Sequence, residues 1–305
     1  MEGAGARKAF PRYLKILEGK ERPRFQITKK EGALGRKIRV VEEILKSCSL
    51  CERNCGIDRL AGKTGFCGVG PDLRVFGTHV HMGEEEELIP SATIFMSGCT
   101  LRCAYCQNAP DSLDASVGIT WSEEKAARWI DTKFSEGCKN VNFVGGEPTP
   151  CLYNILKTLE LCRANIPVVW NSNAYYSKKT AEILKGVVDI YLLDLRYFNE
   201  ECAIRLSSAP SYPETARRNL LDAAKDSELL IRVLVMPGHI ECDSLPILKW
   251  IRENLGEWTR VNILAQYYPA WHARNFPEIN RRLTDEEYRR VVKYAREIGL
   301  KNLIS

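Results

Sequence analysis

"ATIFMSGCTLRCAYCQNAP", residues 92–110, joins a short apolar run to a loop holding three cysteines. Residues 92–97 read as a buried strand, and Cys99, Cys103 and Cys106 follow at once in C-x3-C-x2-C spacing. Thiolates at such spacing are soft ligands for zinc or an iron–sulfur cluster. A [4Fe–4S] cube normally takes four cysteines, so three leave one iron with an open position. The alternative is a zinc site completed by His79 or His81.

Downstream the chain repeats one pattern. Apolar runs at "VNFV", "PVVWN", "VDIYLLD", "LLIRVLVMP" and "RVNILAQ" alternate with amphipathic stretches. Ser122, Ser177 and Thr284 are placed as N-caps of three of those stretches, and Gly137 as a stop. Counting the run at 92–97, six strand-then-helix units predict a parallel sheet covered on both faces. Six is short of the eight of a closed barrel, so the expected fold is α/β, an open, partial (β/α)6 TIM-type barrel with its chemistry just after the strand ends. The expected division is a helical and Cys-rich metal-binding region over 1–90 and the barrel over 91–305. In the first region, residues 7–19 and 36–46 have helical spacing.

The chain has 305 residues, 12 of them cysteine, and a net charge of +5. No apolar run reaches the roughly 20 residues of a membrane span, and the first residues lack the apolar core of a signal peptide, so a cytoplasmic protein is expected. In that reducing setting, clustered cysteines read as metal ligands rather than disulfides. Cys48, Cys51, Cys55 and Cys67, in "CSLCERNCGIDRLAGKTGFCGVG", form a second set that can close around zinc or a second [4Fe–4S] cluster. Cys138, Cys151, Cys162, Cys202 and Cys242 are scattered among apolar neighbours and read as small buried hydrophobes. Residues 1–40 carry 12 Lys and Arg against 4 Glu. That basic arm reads as a solvated segment or as a surface for an acidic partner or nucleic acid. The run Glu84–Glu87 reads as a solvated turn or an acidic contact surface. Arg232, a charge inside an apolar strand, needs a buried anionic partner: a cofactor carboxylate, or an acid of a neighbouring strand.

The three-cysteine loop, with Tyr105 before its last cysteine, resembles the radical S-adenosylmethionine (SAM) superfamily. The resemblance implies a [4Fe–4S] cluster on Cys99, Cys103 and Cys106, with SAM chelated at the open iron. It implies reductive cleavage of SAM to a 5′-deoxyadenosyl radical that abstracts hydrogen from a substrate. "FVGGEP", residues 143–148, is similar to the family's Gly-Gly-Glu-Pro segment, which puts Gly145, Gly146 and Glu147 at the cofactor's amino group. "WNSNAYYS" and "LLDLR" resemble the third- and fourth-strand segments of the pyruvate formate-lyase activating enzyme. Asn171-Ser172-Asn173-Ala174 stand where that enzyme has Asp-Thr-Asn-Gly, and Asp194-Leu195-Arg196 where it has Asp-Leu-Lys. The first Asp there helps hold a monovalent cation; Asn171 is neutral. Asn171, Asn173, Asp194 and Arg196 are thereby candidates for cofactor contact, as is Arg232, and Gln266, Tyr267 and Tyr268 for a substrate wall. Together with the N-terminal cysteine set and "GTHVHMGEEEEL", the chain resembles the activating-enzyme-like subgroup labelled PflX-like, although extra cysteine sets of activating enzymes usually follow the loop and this one precedes it.

Three functions follow as expectations. The first is hydrogen abstraction from a protein substrate, as in glycyl-radical activation, with ferredoxin or flavodoxin as low-potential electron donor. The second is radical modification of another side chain or of RNA. The third is a non-catalytic metalloprotein.

Overall fold

The structure, a computed structural model, describes residues 2–305. Four helices come first: α1 (Glu2–Ala9), α2 (Pro11–Leu17), α3 (Arg24–Lys30) and α4 (Ala33–Leu45). The helix expected over 7–19 is cut in two because Pro11 has no N–H to donate and begins a new helix at its first position. A cysteine-rich knuckle follows, then β1 (Leu73–His81), β2 (Ser91–Met96) and β3 (Ile119–Trp121). The six expected units then run in order. β2 leads to α5 (Glu123–Ser135), β4 (Asn140–Gly145) to α6 (Leu152–Leu161), and β5 (Val168–Ser172) to α7 (Lys178–Leu184). β6 (Ile190–Asp194) leads to α8 (Glu200–Ser207) and α9 (Tyr212–Asp226), β7 (Glu228–Leu234) to α10 (Leu245–Asn254), and β8 (Arg260–Leu264) to α11 (Asp285–Glu297). The short β9 (Leu303–Ile304) ends the chain's regular structure.

The sheet order is β3-β1-β2-β4-β5-β6-β7-β8-β9. Every pair from β2 to β9 is parallel, whereas β1 is antiparallel to both β2 and β3. The edge strands do not meet, so this is an open, partial barrel. Helix starts follow local chemistry: Ser122, Ser177 and Thr284 accept the N–H of Lys125, Thr180 and Glu287, and Glu287 closes a capping box. β1 escapes sequence reading because "LRVFGTHVH" alternates weakly and is half exposed.

The basic N-terminal segment is helical and in part packed under the barrel, while Arg7, Lys8, Lys15, Lys20, Arg22, Lys30, Arg36 and Arg39 are exposed. Phe10 and Tyr13 are fully buried against Leu88, Val169, Ile190, Leu192 and Leu230. The Glu228 carboxylate, at the start of β7, accepts the N–H groups of Arg12 (2.5 Å) and Tyr13 (3.0 Å) and so caps α2. Arg12 pairs with buried Asp189 at 2.6 Å, and Arg24 with Asp226. Acids at the floor of the barrel thus take up part of the segment's positive charge.

The Glu84–Glu87 run is corrected: part of it lies inside the barrel, not in solvent. Arg232 donates to Glu85 through Nε (2.9 Å) and Nη2 (2.7 Å), and also to Glu84. Asn262 of β8 donates to Glu85 (2.7 Å), Asn142 of β4 to Glu84 (3.1 Å), and Arg260 to Glu87 (2.9 Å). Within the chain, the anionic partners of Arg232 are supplied by the β1–β2 connection. Among the described residues no helix is long and apolar enough to cross a membrane.

Candidate active site

A cleft of about 600 Å³ opens at the C-terminal ends of the strands, a size usual for a small-molecule site. It gathers Cys99, Cys103, Tyr105 and Cys106 from the loop after β2 with Gly145, Gly146 and Glu147 after β4. Asn171 and Asn173 from the end of β5, Asp194 and Arg196 from the end of β6, and Arg232 of β7 complete it. A wider hollow of about 950 Å³ beside α4, lined by Arg36, Arg39 and Lys179 among others, offers no sulfur ligand. His81 also lines the cleft, near Glu84, while His79 is exposed on β1.

Three sulfurs face this cleft and each already has a donor. The N–H of Leu101 (3.4 Å) and the amide of Asn173 (3.7 Å) approach Cys99 Sγ, the Ser207 hydroxyl donates to Cys103 Sγ (3.1 Å), and Cys106 Sγ meets the Ser112 hydroxyl (3.3 Å). Burial pushes the Cys99 and Cys103 thiols up; for Cys99 the neighbouring thiols and Glu147 add to the rise, while the Arg196 charge works against it at Cys103. A bound metal inverts that balance, since it deprotonates a coordinating thiol. No fourth cysteine lines the cleft among the described residues. The donor set therefore fits a [4Fe–4S] cluster with one iron free.

The loop is held from both sides. The N–H groups of Arg102 and Ala104 donate to the carbonyls of Ser207 (2.9 Å) and Leu206 (2.7 Å), at the end of α8. From the N-terminal knuckle, Arg53 Nε reaches the Thr100 carbonyl (3.0 Å) with its guanidinium 3.6 Å from the Phe66 ring centre. Arg59, 1% exposed, fixes the knuckle by donating to the carbonyls of Val69, Gly70 and Pro150 at 2.7–2.9 Å. Spacing gave no signal for these arginines.

Glu147 lines the cleft and is held by four donors of the chain itself. Its Oε1 accepts from Thr149 N (3.2 Å), Thr149 Oγ1 (2.6 Å) and Ser172 Oγ (2.7 Å), and its Oε2 from Asn173 N (2.9 Å). The carboxylate braces the ends of β4 and β5. Gly145 has φ +119°, where a side chain is strained. A Cβ at Gly146 would overlap the carbonyl oxygens of Gly98 and Ser112. Gly146→Ala therefore displaces the residue before Cys99. We expect a stability loss of about 1–3 kcal/mol and reduced cluster loading, read as iron per chain; wild-type iron content would refute this.

On the far wall, Arg196 Nη2 pairs with Asp194 Oδ2 at 2.5 Å, while its buried Nε has no partner. That orphaned donor suits an anionic or polar ligand. The Tyr105 hydroxyl accepts from the Tyr197 hydroxyl (2.7 Å). Of the expected substrate wall, Gln266 lines the cleft. Tyr267 is buried behind it, donating to the Ile279 carbonyl (2.6 Å), and Tyr268 is exposed.

The profile described as the radical SAM superfamily matches residues 93–251. Uncharacterized protein MJ0674 of Methanocaldococcus jannaschii is 41% identical over 278 residues, covering 89% of this chain and 80% of its own. The pyruvate formate-lyase-activating enzyme of Clostridium pasteurianum is 29% identical over 112 residues, 35% of this chain and 46% of that enzyme. Among solved structures, Streptococcus suis SuiB bound to precursor peptide SuiA superposes with a TM-score of 0.50 at 17% identity, covering 67% of this chain. The chain spans 46% of SuiB's length, and that likeness is one of fold.

Proposed function

Because the chain belongs to the radical SAM superfamily, we propose that it is an activating enzyme of the PflX-like kind, which abstracts an α-hydrogen from a glycine of a protein partner and leaves a glycyl radical there. The coarser statement needs no proposal: it is a radical enzyme that uses a [4Fe–4S] cluster and SAM. The bound, reduced cluster would supply one electron to the SAM sulfonium, whose C5′–S bond would break to give methionine and the 5′-deoxyadenosyl radical.

The chain's own residues prepare that event. Cys99, Cys103 and Cys106 would hold three irons, and the donors from Leu101, Asn173, Ser207 and Ser112 draw charge from the sulfurs, a lever on cluster potential. The backbone of Gly145 and Gly146 would meet the cofactor's amine. Arg196, through its free Nε, and Asp194 would orient its polar end, with Asn171 beside them. Burial of Cys99 and Cys103 excludes water, which guards a reactive radical.

The observation that carries the reading is a three-thiol cleft of about 600 Å³ at the C-terminal ends of the strands of a partial barrel. The partial likeness to the Clostridium pasteurianum enzyme supports the glycyl target. The reductant is proposed to be a ferredoxin or flavodoxin.

We also propose that Cys48, Cys51, Cys55 and Cys67 hold a second metal group. Cys48 and Cys67 are buried and Cys55 is exposed. Burial, with the neighbouring thiols Cys67, Cys48 and Cys55, pushes the Cys51 thiol up to about 12 although the Arg53 N–H opposes it. Burial and the neighbouring thiols also push the Cys67 thiol up, and a cation bound among these sulfurs would reverse that balance. Anaerobic iron counting separates the choices: about eight irons per chain means two cubes, and about four means zinc beside one.

The test of function is anaerobic incubation of the reduced protein with SAM and a candidate glycyl-radical partner. We expect 5′-deoxyadenosine and a glycyl radical signal in equal amounts by electron paramagnetic resonance. Formation of 5′-deoxyadenosine with a stable change in another side chain, or in RNA, and no stored radical would replace this reading with the second one.

A further inference from the structure

Two cysteines with no spacing relation in the chain meet on the rim of the barrel. Cys202 lies in α8, and Cys242 and Asp243 lie in the turn 240–244 that leads into α10. Their Sγ atoms are 3.9 Å apart, and Cys242 Sγ is 3.7 Å from Asp243 Oδ2. All three ligand atoms fall within 4.8 Å of one another. We propose that Cys202, Cys242 and Asp243 form a tetrahedral site for a divalent, thiol-loving cation of the zinc class, with water in the fourth position.

The distances carry the argument. Zinc holds thiolate at about 2.3 Å and carboxylate oxygen at about 2.0 Å, so tetrahedral edges are about 3.8 Å between two sulfurs and about 3.5 Å between sulfur and oxygen. Both measured separations lie within about 0.2 Å of these edges. A disulfide would need the sulfurs to close to about 2.05 Å, and it gives the carboxylate no role. Asp243 is 2% exposed. Its Oδ1 accepts the N–H groups of Phe198 (2.7 Å) and Asn199 (2.9 Å), which leaves Oδ2 turned toward the sulfurs. This is an oriented ligand of the kind metal sites use, its other oxygen held by the backbone.

The site would clip the segment after β6 to the segment after β7. The clip reaches the cleft through α8, whose last residue, Ser207, donates to Cys103 Sγ.

The test is metal analysis of the anaerobically purified holoprotein after equilibration with zinc and removal of free metal. Wild type and a Cys48→Ser/Cys51→Ser variant should both retain about one zinc per chain at this site. A Cys202→Ser/Cys242→Ser variant should lose that zinc and keep the iron and sulfide bound by the three-cysteine loop. Should the double variant fail to fold, Asp243→Asn, which keeps the acceptor for both N–H groups, should bind zinc at least about 10-fold more weakly in competition with a chromogenic chelator. In the Cys48→Ser/Cys51→Ser background, cobalt(II) should give a thiolate charge-transfer band that is absent once Cys202 and Cys242 are replaced as well. Equal zinc in wild type and in the double variant, or no cobalt–thiolate band dependent on these cysteines, overturns the proposal.

Discussion

Cys103→Ala abolishes SAM cleavage: 5′-deoxyadenosine formed under dithionite falls by more than about 100-fold. Outer-sphere changes at metal sites already cost about 10–100-fold, and this change removes a ligand. Cys103 is 7% exposed, receives the Ser207 hydroxyl, and sits between two backbone bonds that tie its loop to α8. With it gone, two thiols remain to hold a four-iron cube, and the cleft offers no other cysteine to replace the third. Iron per chain should fall by about four while the N-terminal set keeps its metal. Unimpaired cleavage in this variant would show that the three-cysteine assignment is wrong.

Arg232→Leu is expected to cost about 3–5 kcal/mol of folding stability at pH 7, the usual penalty for removing one member of a buried ion pair. Two carboxylates, Glu84 and Glu85, lose their partner, and the Glu85 side chain is wholly buried. The pH dependence should change sign as well. In the wild type, burial pushes the Glu85 carboxyl up, but the charge and hydrogen bonds of Arg232 and the amide of Asn262 outweigh it, and the net position is lowered. A lowered carboxyl contributes stability above its unfolded pKa, about 4.3, and loses it as pH falls. Without Arg232, burial dominates, so the variant should lose stability as pH rises through that range. Denaturant unfolding at pH 4 to 8 measures both slopes, and Arg232→Leu/Glu85→Gln should recover part of the loss. A variant as stable as wild type at pH 7 would show that the interior ion cluster does not hold the barrel together.

The parallel strands were legible because each is a short run of apolar and β-branched residues, the pattern left by burial on both faces. The three-cysteine loop and the segments after β4, β5 and β6 were legible because each follows its strand within a few residues, and the strands carry them to one end. What stayed hidden depends on partners far away in sequence. Glu85 reads as a surface charge until Arg232, 147 positions on, is seen against it. Arg12 and Arg24 read as solvated, like their basic neighbours, until Asp189 and Asp226 are seen against them. Cys202 and Cys242 read as lone hydrophobes because 40 residues separate them. Glu147 was found by its motif, whereas its bonds to Ser172 and Asn173 at the end of the next strand were not legible.

The helices under the strands give this reactor a sealed base. With Phe10 and Tyr13 packed across the lower strand ends and Glu85 held inside by Arg232 and Asn262, the interior is filled from below and the cleft lies at the C-terminal ends of the strands. On the proposed function, the sulfonium compound and its protein partner would both approach from that end, and the partner would cover the cofactor already seated there.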